Sequence, residues 1–314
     1  MMIRTIIKKI FFTSLVGLLL LTLTTLAQAN PAYLVDSEWL EERINDPGLV
    51  ILEVRYYPHR YFTVGHIPGA RQVQRFKDLG DNFAVPLMRF PDHRIFEQTL
   101  RSWGVNNDST VVLYDDSRTA LASRLYFMLA LYGFNMEQVK MLNGGTLEWS
   151  AMNEMSTTPP QVQPGNVALQ PLNRELLVEW GEIFDDVVSR RDEGVILLDA
   201  RPSEQYSGAQ SSGAVRGGHI PGAMNIVSLD ATDGMSQKWL DDQALEQLYA
   251  DLPRDKRIYV YCHDGFRKTL TWMQLTHLGF EDVRLYNGGW AHWGNALSLP
   301  VVTGDAPYDE NYQL

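Results

Sequence analysis

Short apolar runs alternate along this chain with segments in which apolar residues recur at helical spacing. Runs rich in β-branched and aromatic residues lie at 195–198, 258–261 and 283–286. Segments with helical spacing lie at 183–188, 240–249 and 269–278. Gly279 follows the last of these, as is typical of a helix C-terminus. The alternation predicts an α/β fold in which each domain has an open, mostly parallel sheet with helices on both faces.

The same landmarks occur twice in the same order, which indicates a duplicated domain. Gly-His-Ile-Pro-Gly-Ala stands at 65–70 and again, letter for letter, at 218–223. Further matching pairs are 51–55 with 197–201, 114–115 with 261–262, and 143–145 with 287–289. The offsets between partners lie between 144 and 153 residues. Because this period is far longer than that of solenoid repeats, each copy is predicted to be a whole domain.

Polar and proline-rich segments set the expected domain boundaries. We predict a first domain at 30–150, a linker at 151–172 and a second domain at 173–300. The tail at 301–314 has the composition of irregular surface chain.

The first 29 residues have the composition of a signal peptide. Positive residues near the start precede an apolar run at 10–23, and a small-x-small pattern follows at 27–29. The alternative is a membrane anchor, for which the apolar run is short. We therefore expect cleavage before Asn30 and export to the periplasm, with no stable membrane association afterwards.

The charge of the chain argues against some partners. Removal of the three positive residues of the signal changes the formal net charge from −11 to −14. Such an acidic protein is not expected to bind nucleic acid or anionic membranes. An anionic substrate must then be attracted locally, by a few arginines or lysines near the site.

The chain has one cysteine, Cys262, at the start of a loop between a predicted strand and a predicted helix. Loop amides and the positive end of a helix dipole favour the thiolate there, which is the nucleophilic form. An unused thiol is a liability in an oxidising compartment, although an inert buried cysteine is the alternative. Asp115 occupies the matching position of the first copy. The second copy is therefore predicted to be catalytic and the first inactive.

These motifs resemble those of tandem-domain rhodaneses, a family of sulfurtransferases, over nearly the whole mature sequence. The family's aromatic-x-x-x-His-Ile-Pro-Gly-Ala motif fits Phe62 and 66–70, whereas the second copy has Val215 at the aromatic position. The strand-Cys-loop motif fits 262–265, and Asn-Gly-Gly-Trp stands at 287–290. The histidines of the first motif are expected to fix turns rather than to act in catalysis.

The resemblance implies two tandem rhodanese-like domains and a double-displacement reaction. The Cys262 thiolate would take the outer sulfur of a small anionic donor such as thiosulfate and become a persulfide. A thiophilic acceptor, such as cyanide or a thiol, would then remove that sulfur. Amides of the loop at 263–268 would stabilise its negative charge. No metal or organic cofactor is expected.

Residues around Cys262 are the candidates for substrate binding. They are His263, Asp264, Gly265, Phe266, Arg267, Lys268 and Arg201. Arg267 and Lys268 are the fixed positive charges of the loop, whereas Arg201 could equally form an ion pair with Asp199. Family members specific for thiosulfate usually have basic residues where His263 and Asp264 stand, and those acting on 3-mercaptopyruvate usually have Gly-Ser-Gly. The donor therefore stays open.

Two other functions are compatible with a loop cysteine. Phosphatases and arsenate reductases of the Cys-x5-Arg type use a loop one residue longer, but here Arg267 follows Cys262 after four residues. The other alternative is a non-catalytic sulfur-binding or interaction module. The intact cysteine argues against it for the whole chain, while the first copy has the features of such a module.

Overall fold

The computed structural model describes residues 32–81, 83–86, 88–211 and 213–308. The predicted signal peptide at 1–29 and the last part of the predicted tail lie outside these residues. No helix within the described part of the chain is long and apolar enough to cross a membrane.

The first domain is a parallel sheet covered by helices. Its main elements are β1 (Leu34–Val35), α1 (Ser37–Arg43), β2 (Leu49–Val54), α2 (Arg60–Thr63), β3 (Arg71–Val73), α3 (Arg75–Asp78), α4 (His93–Ser102), β4 (Thr110–Asp115), α5 (Ala122–Leu131), β5 (Val139–Leu142) and α6 (Gly145–Ser150). The strand order is β1-β5-β4-β2-β3, and the neighbouring strands are parallel. Every residue of β2 is buried, because the strand lies between β4 and β3 and both faces of the sheet are covered.

The second domain repeats this arrangement. Its main elements are β6 (Leu177–Val178), α7 (Trp180–Ile183, continued by a π-helical turn at Phe184–Ser189), β7 (Val195–Asp199), α8 (Ser203–Tyr206), β8 (Ala223–Asn225), α9 (Asp242–Leu248), β9 (Arg257–Tyr261), α10 (Arg267–His277), β10 (Val283–Tyr286) and α11 (Gly289–Trp293). The strand order is β6-β10-β9-β7-β8, again parallel. The predicted fold class is confirmed.

The two histidines of the repeated motif fix turns, as the sequence indicated. Both are fully buried. His66 stacks on Tyr61 at 3.6 Å and His219 on Tyr206 at 3.8 Å, and each ring Nδ1 lies about 3 Å from the carbonyl oxygen of its stacking tyrosine. Phe62 fits the aromatic position of the motif by its spacing, but its ring is half exposed, and the preceding Tyr61 supplies the ring that stacks on His66.

The segments after the last helix of each domain return to that domain. Ser156 forms an antiparallel bridge with His66, and Val302 forms the equivalent bridge with His219. Val302 is 2% exposed. The start of the predicted tail is therefore not surface chain, since it closes the second domain as residues near 156 close the first.

Equivalent elements of the two duplicated domains form the interface between them. Helices α5 and α10 pack against each other, with the rings of Phe127 and Trp272 edge to face at 4.8 Å. Asn143 Oδ1 accepts a hydrogen bond from the Trp239 amide of the second domain at 3.0 Å. The matching Asn287 Oδ1 accepts one from an amide of the first domain. The carboxyl ends of both sheets thus meet across this interface.

Candidate active site

Cys262 lies at the carboxyl end of β9, directly before the loop that leads into α10. It is 1% exposed, and the Gly265 amide donates a hydrogen bond to its Sγ at 3.2 Å. Gly265 has a φ of +116°, a conformation that favours glycine. A Cβ at this position would overlap Arg124 Nη1. Glycine is therefore required here for both its backbone conformation and its small size.

The Asn-Gly-Gly-Trp turn at 287–290 packs against the start of the loop that contains Cys262. The Trp290 amide donates to the Cys262 carbonyl at 2.8 Å. Gly289 has a φ of +60°, and a Cβ on it would lie 2.5 Å from the His263 carbonyl oxygen. This close approach of two backbones holds the strand end in place.

Two buried cations flank Cys262. Arg124 comes from α5 of the first domain and Lys268 from α10, and both are about 1% exposed or less. Burial lowers the pKa of Lys268 to about 8 and that of Arg124 to about 10, while electrostatic attraction to Asp264 and to the thiolate form of Cys262 opposes both shifts. No cluster of metal-ligating side chains that could hold an ion lies among the residues that the structure describes.

Two of the residues predicted to bind substrate, Arg201 and Lys268, are buried and bonded to other groups of the second domain. The Arg201 side chain is 1% exposed and forms a bidentate ion pair with Asp199, at 2.6 and 2.9 Å. Its guanidinium lies over the Trp290 ring. Lys268 Nζ donates to the Tyr286 carbonyl beneath the loop. Each side chain is buried and already bonded inside the second domain, so direct anion binding by these two residues stays a prediction.

The remaining loop residues face a cavity between the domains. It has a volume of about 720 Å³ and is lined, among others, by His263, Asp264, Phe266 and Arg267. Arg75 and Arg118 of the first domain line it too, and neither was singled out from the sequence. Within the described residues, Arg75, Arg118 and Arg267 have no carboxylate at salt-bridge distance, although Arg118 attracts Asp233 from farther away. Arg75 stacks on the rings of Tyr56 and Phe76. The cavity also carries Asp264 and the carboxylate of Asp116.

A second cavity opens on the other side of the loop. It has a volume of about 600 Å³, and its walls are mainly apolar, with Phe76 and Met88 from the first domain and Ala291 from the second. His263 and Asp264 line both cavities. His263 and Asp264 therefore contact both the polar cavity of about 720 Å³ and the mainly apolar cavity of about 600 Å³.

The first domain contains a corresponding loop, and its anion site is filled by the chain itself. Asp115 lies at the end of β4 and is 1% exposed. Its carboxylate accepts hydrogen bonds from the backbone amides of Ser117, Thr119, Leu121 and Ala122, at 2.7 to 2.9 Å. Burial raises the pKa of Asp115, and the amide donors oppose this shift. A loop of this kind thus presents converging amides to a negative group at the strand end.

Comparison with known proteins decides between the possible chemistries. A model of the rhodanese-like domain matches residues 36–152 and again residues 184–296. The chain belongs to the rhodanese family. This rhodanese is 33% identical over 289 residues to a thiosulfate sulfurtransferase of Corynebacterium glutamicum, covering 88% of this chain and 92% of that protein. It is 30% identical to a probable 3-mercaptopyruvate sulfurtransferase of Pseudomonas aeruginosa, covering 88% of this chain and all of the relative.

A solved structure supports the same assignment. The rhodanese superimposes on the crystal structure of SseA from Escherichia coli, a 3-mercaptopyruvate sulfotransferase, with a TM-score of 0.71 and 25% identity. The match covers 82% of this chain and 98% of SseA. The protein is therefore a sulfurtransferase, and neither a Cys-dependent phosphatase nor a purely non-catalytic module describes the whole chain.

Proposed function

We propose that this rhodanese transfers sulfane sulfur through a persulfide on Cys262. The observation that carries the proposal is the Gly265 amide directed at Sγ, 3.2 Å away, at the end of a strand flanked by buried cations. Amide donors and fixed positive charge stabilise both the attacking thiolate and the terminal sulfur of a persulfide.

The reaction has two steps that balance in atoms and charge. The thiolate of Cys262 forms a bond to the outer sulfur of thiosulfate, and the bond from that sulfur to the sulfonate sulfur breaks. The electron pair leaves with sulfite, and the enzyme retains an anionic persulfide. Cyanide or a thiolate acceptor then bonds to the terminal sulfur, and the Cys262 thiolate leaves.

The donor that fits best is a small anion with two negative charges, as thiosulfate has. Arg75, Arg118 and Arg267 line the cavity beside the loop, and none of them has a carboxylate at salt-bridge distance among the described residues. Guanidinium groups bind sulfonate-like oxygens with paired hydrogen bonds. A relative with the name thiosulfate sulfurtransferase agrees with this choice, whereas the 3-mercaptopyruvate relative represents the competing donor.

A steady-state comparison of donors tests the proposed function. Thiosulfate and 3-mercaptopyruvate are supplied in turn with cyanide as acceptor, and thiocyanate is measured. We expect kcat/KM to be at least tenfold higher with thiosulfate, and Cys262→Ser to be inactive with both. A preference for 3-mercaptopyruvate would reject the donor, and activity of the Cys262→Ser variant would reject the persulfide.

The site of action is proposed to be the periplasm. The basic start, the apolar run at 10–23 and the small-x-small pattern at 27–29 support export. Expression of the full chain in a Gram-negative host, followed by fractionation and N-terminal sequencing, tests this. A periplasmic protein that begins at Asn30 is expected, and a full-length cytoplasmic protein would contradict the proposal.

A further inference from the structure

Arg124 belongs to α5 of the non-catalytic domain, yet its guanidinium forms part of the sulfur site of the other domain. The side chain is fully buried. Nη1 donates to the Gly265 carbonyl at 3.2 Å, Nε to the Leu79 carbonyl at 2.7 Å and Nη2 to the Met88 carbonyl at 2.6 Å. Contacts to both domains therefore hold the group in one place.

Among the residues that the structure describes, the charge of this guanidinium has no carboxylate partner at contact distance. Within the described residues its hydrogen bonds end on main-chain carbonyl oxygens, and its face covers the ring of Phe90 at 4.6 Å. A buried charge is costly unless an opposite charge lies near it. The negative groups that act on Arg124 are Asp264 and Cys262. The sulfur site is therefore one of the counter-charges that this arginine meets.

The duplication supplies an internal comparison. Gly133 and Gly279 follow α5 and α10 with an offset of 146 residues, and the same offset pairs Ser123 with Thr269 and Arg124 with Leu270. The hydroxyl groups of Ser123 and Thr269 lie 3.0 Å apart. The cation is present where the opposite loop contains Cys262. A leucine is present where the opposite loop contains Asp115, whose carboxylate already binds amides of its own loop. The two differences between the copies thus go together, because the arginine faces the loop that has the thiol and the leucine faces the loop that has the aspartate.

We propose that Arg124 is a positioning residue of the sulfur site, contributed by the domain that has no cysteine. It anchors Gly265, so that the amide of this residue points at Cys262 Sγ, and it supplies a fixed counter-charge to the thiolate. The inference extends the proposed persulfide chemistry, since the same two effects act on a persulfide.

Two substitutions separate the effect of the Arg124 charge from the effect of its hydrogen bond to Gly265. Arg124→Met removes both, whereas Arg124→Lys keeps the positive charge but cannot reach three carbonyl oxygens at once. Phe127→Leu is the matched control, because it loosens the same helix interface at the Trp272 contact without changing charge. Each full-length mature protein is examined for thermal unfolding, for the rate of Cys262 alkylation by iodoacetamide at pH 7, and for pre-steady-state sulfur loading from thiosulfate.

We expect Arg124→Met to lower the alkylation rate at least tenfold. Arg124→Lys should keep alkylation within about threefold of wild type, but its maximal loading rate should fall at least fivefold with an unchanged half-saturating thiosulfate concentration. Phe127→Leu should unfold at lower temperature with both rates unchanged. A folded Arg124→Met protein with wild-type alkylation overturns the proposal. If that variant does not fold, wild-type loading by Arg124→Lys overturns it. Alkylation requires no sulfur transfer, so it reports on Arg124 even if the persulfide proposal fails.

Discussion

Ser123 Oγ and Thr269 Oγ1 lie 3.0 Å apart where α5 packs against α10, and the two residues hold equivalent positions in the duplicated domains. The next residue along each helix breaks the equivalence, with Arg124 in one copy and Leu270 in the other. The strand ends break it again, with Asp115 in the first copy and Cys262 in the second. A nearly symmetric frame thus carries one sulfur site, to which both domains contribute side chains.

The first loop should not become a competent sulfur site when it is given a cysteine. In the Asp115→Cys, Cys262→Ser double variant, the new thiol would lie in a loop shaped around a carboxylate, with Arg118 and Thr119 at positive φ. It would also lack the cation that Arg124 supplies to the other loop. We expect thiocyanate formation at least a hundredfold below wild type, and turnover close to wild type would refute the division of labour.

The arginines of the polar cavity should control donor binding. Replacing Arg118 or Arg267 with Gln removes a charge that a small anion meets outside the loop. A charge contact at a partly exposed site contributes about 1 kcal/mol, so KM for thiosulfate should rise about three- to tenfold while kcat changes little. Arg94→Gln, on the exposed face of α4, is the control and should match wild type. Unchanged KM in both cavity variants would place the donor elsewhere.

Lys268 should make the reactivity of Cys262 depend on pH. Burial lowers the pKa of Lys268 to about 8, so this side chain is charged at pH 7 and neutral well above pH 8. Cys262, Arg124, Asp264 and Glu179 are the charged groups that act on it. Lys268→Met should lower the iodoacetamide alkylation rate about tenfold at pH 7. At pH 9.5 the wild-type protein has lost the same charge, and the two rates should agree within about twofold.

The control for this comparison is Lys256→Met, because Lys256 precedes β9 at the opposite end of the strand from Cys262. This variant should equal wild type at both pH values. A ratio between wild type and Lys268→Met that stays constant from pH 7 to pH 9.5 would show that Lys268 does not act through its charge.

Glu53 should reduce the stability of the fold as pH rises from about 4.5 to 7. Burial raises the pKa of this carboxyl to about 7, although Arg55 donates to it at 2.5 Å. In that pH range the folded state holds a proton that the unfolded state has released, so the free energy of unfolding decreases with pH. Thermal unfolding at pH 4.5 and pH 8 should show that the Tm of Glu53→Gln increases relative to the Tm of wild type as pH rises. The exposed Glu38→Gln control should show no such gain, and an equal Tm difference at both pH values for Glu53→Gln would contradict the expectation.

The sequence predicts most of the fold because local and repeated signals agree. The buried runs at 195–198 and 258–261 become β7 and β9, and the segment before Gly279 becomes α10. The aromatic partner of His219 was missed, since Tyr206 lies 13 residues before it and the motif places its aromatic residue four before. The extra residues between Tyr206 and His219 change the spacing along the chain, but the tyrosine still stacks on the histidine.

The site was predicted less completely, because much of it is built across the domain interface. The cysteine, its glycine and Arg267 follow from the loop itself. Arg75, Arg118 and Arg124 lie far from Cys262 along the chain, and no periodicity shows which helix of one domain packs against the other. The sequence also does not show that Lys268 is bonded to the Tyr286 carbonyl inside the second domain, or that Arg201 is paired with Asp199.

The central claim is that Cys262 is the sulfur carrier of this protein, and intact-mass measurement tests it directly. The mature protein is incubated with thiosulfate, freed of donor and measured before and after addition of cyanide, with Cys262→Ser in parallel. The account predicts that wild type gains the mass of one sulfur atom and loses it to cyanide, and that Cys262→Ser gains nothing. A stable sulfur adduct on Cys262→Ser, or wild-type turnover without any adduct, would contradict it.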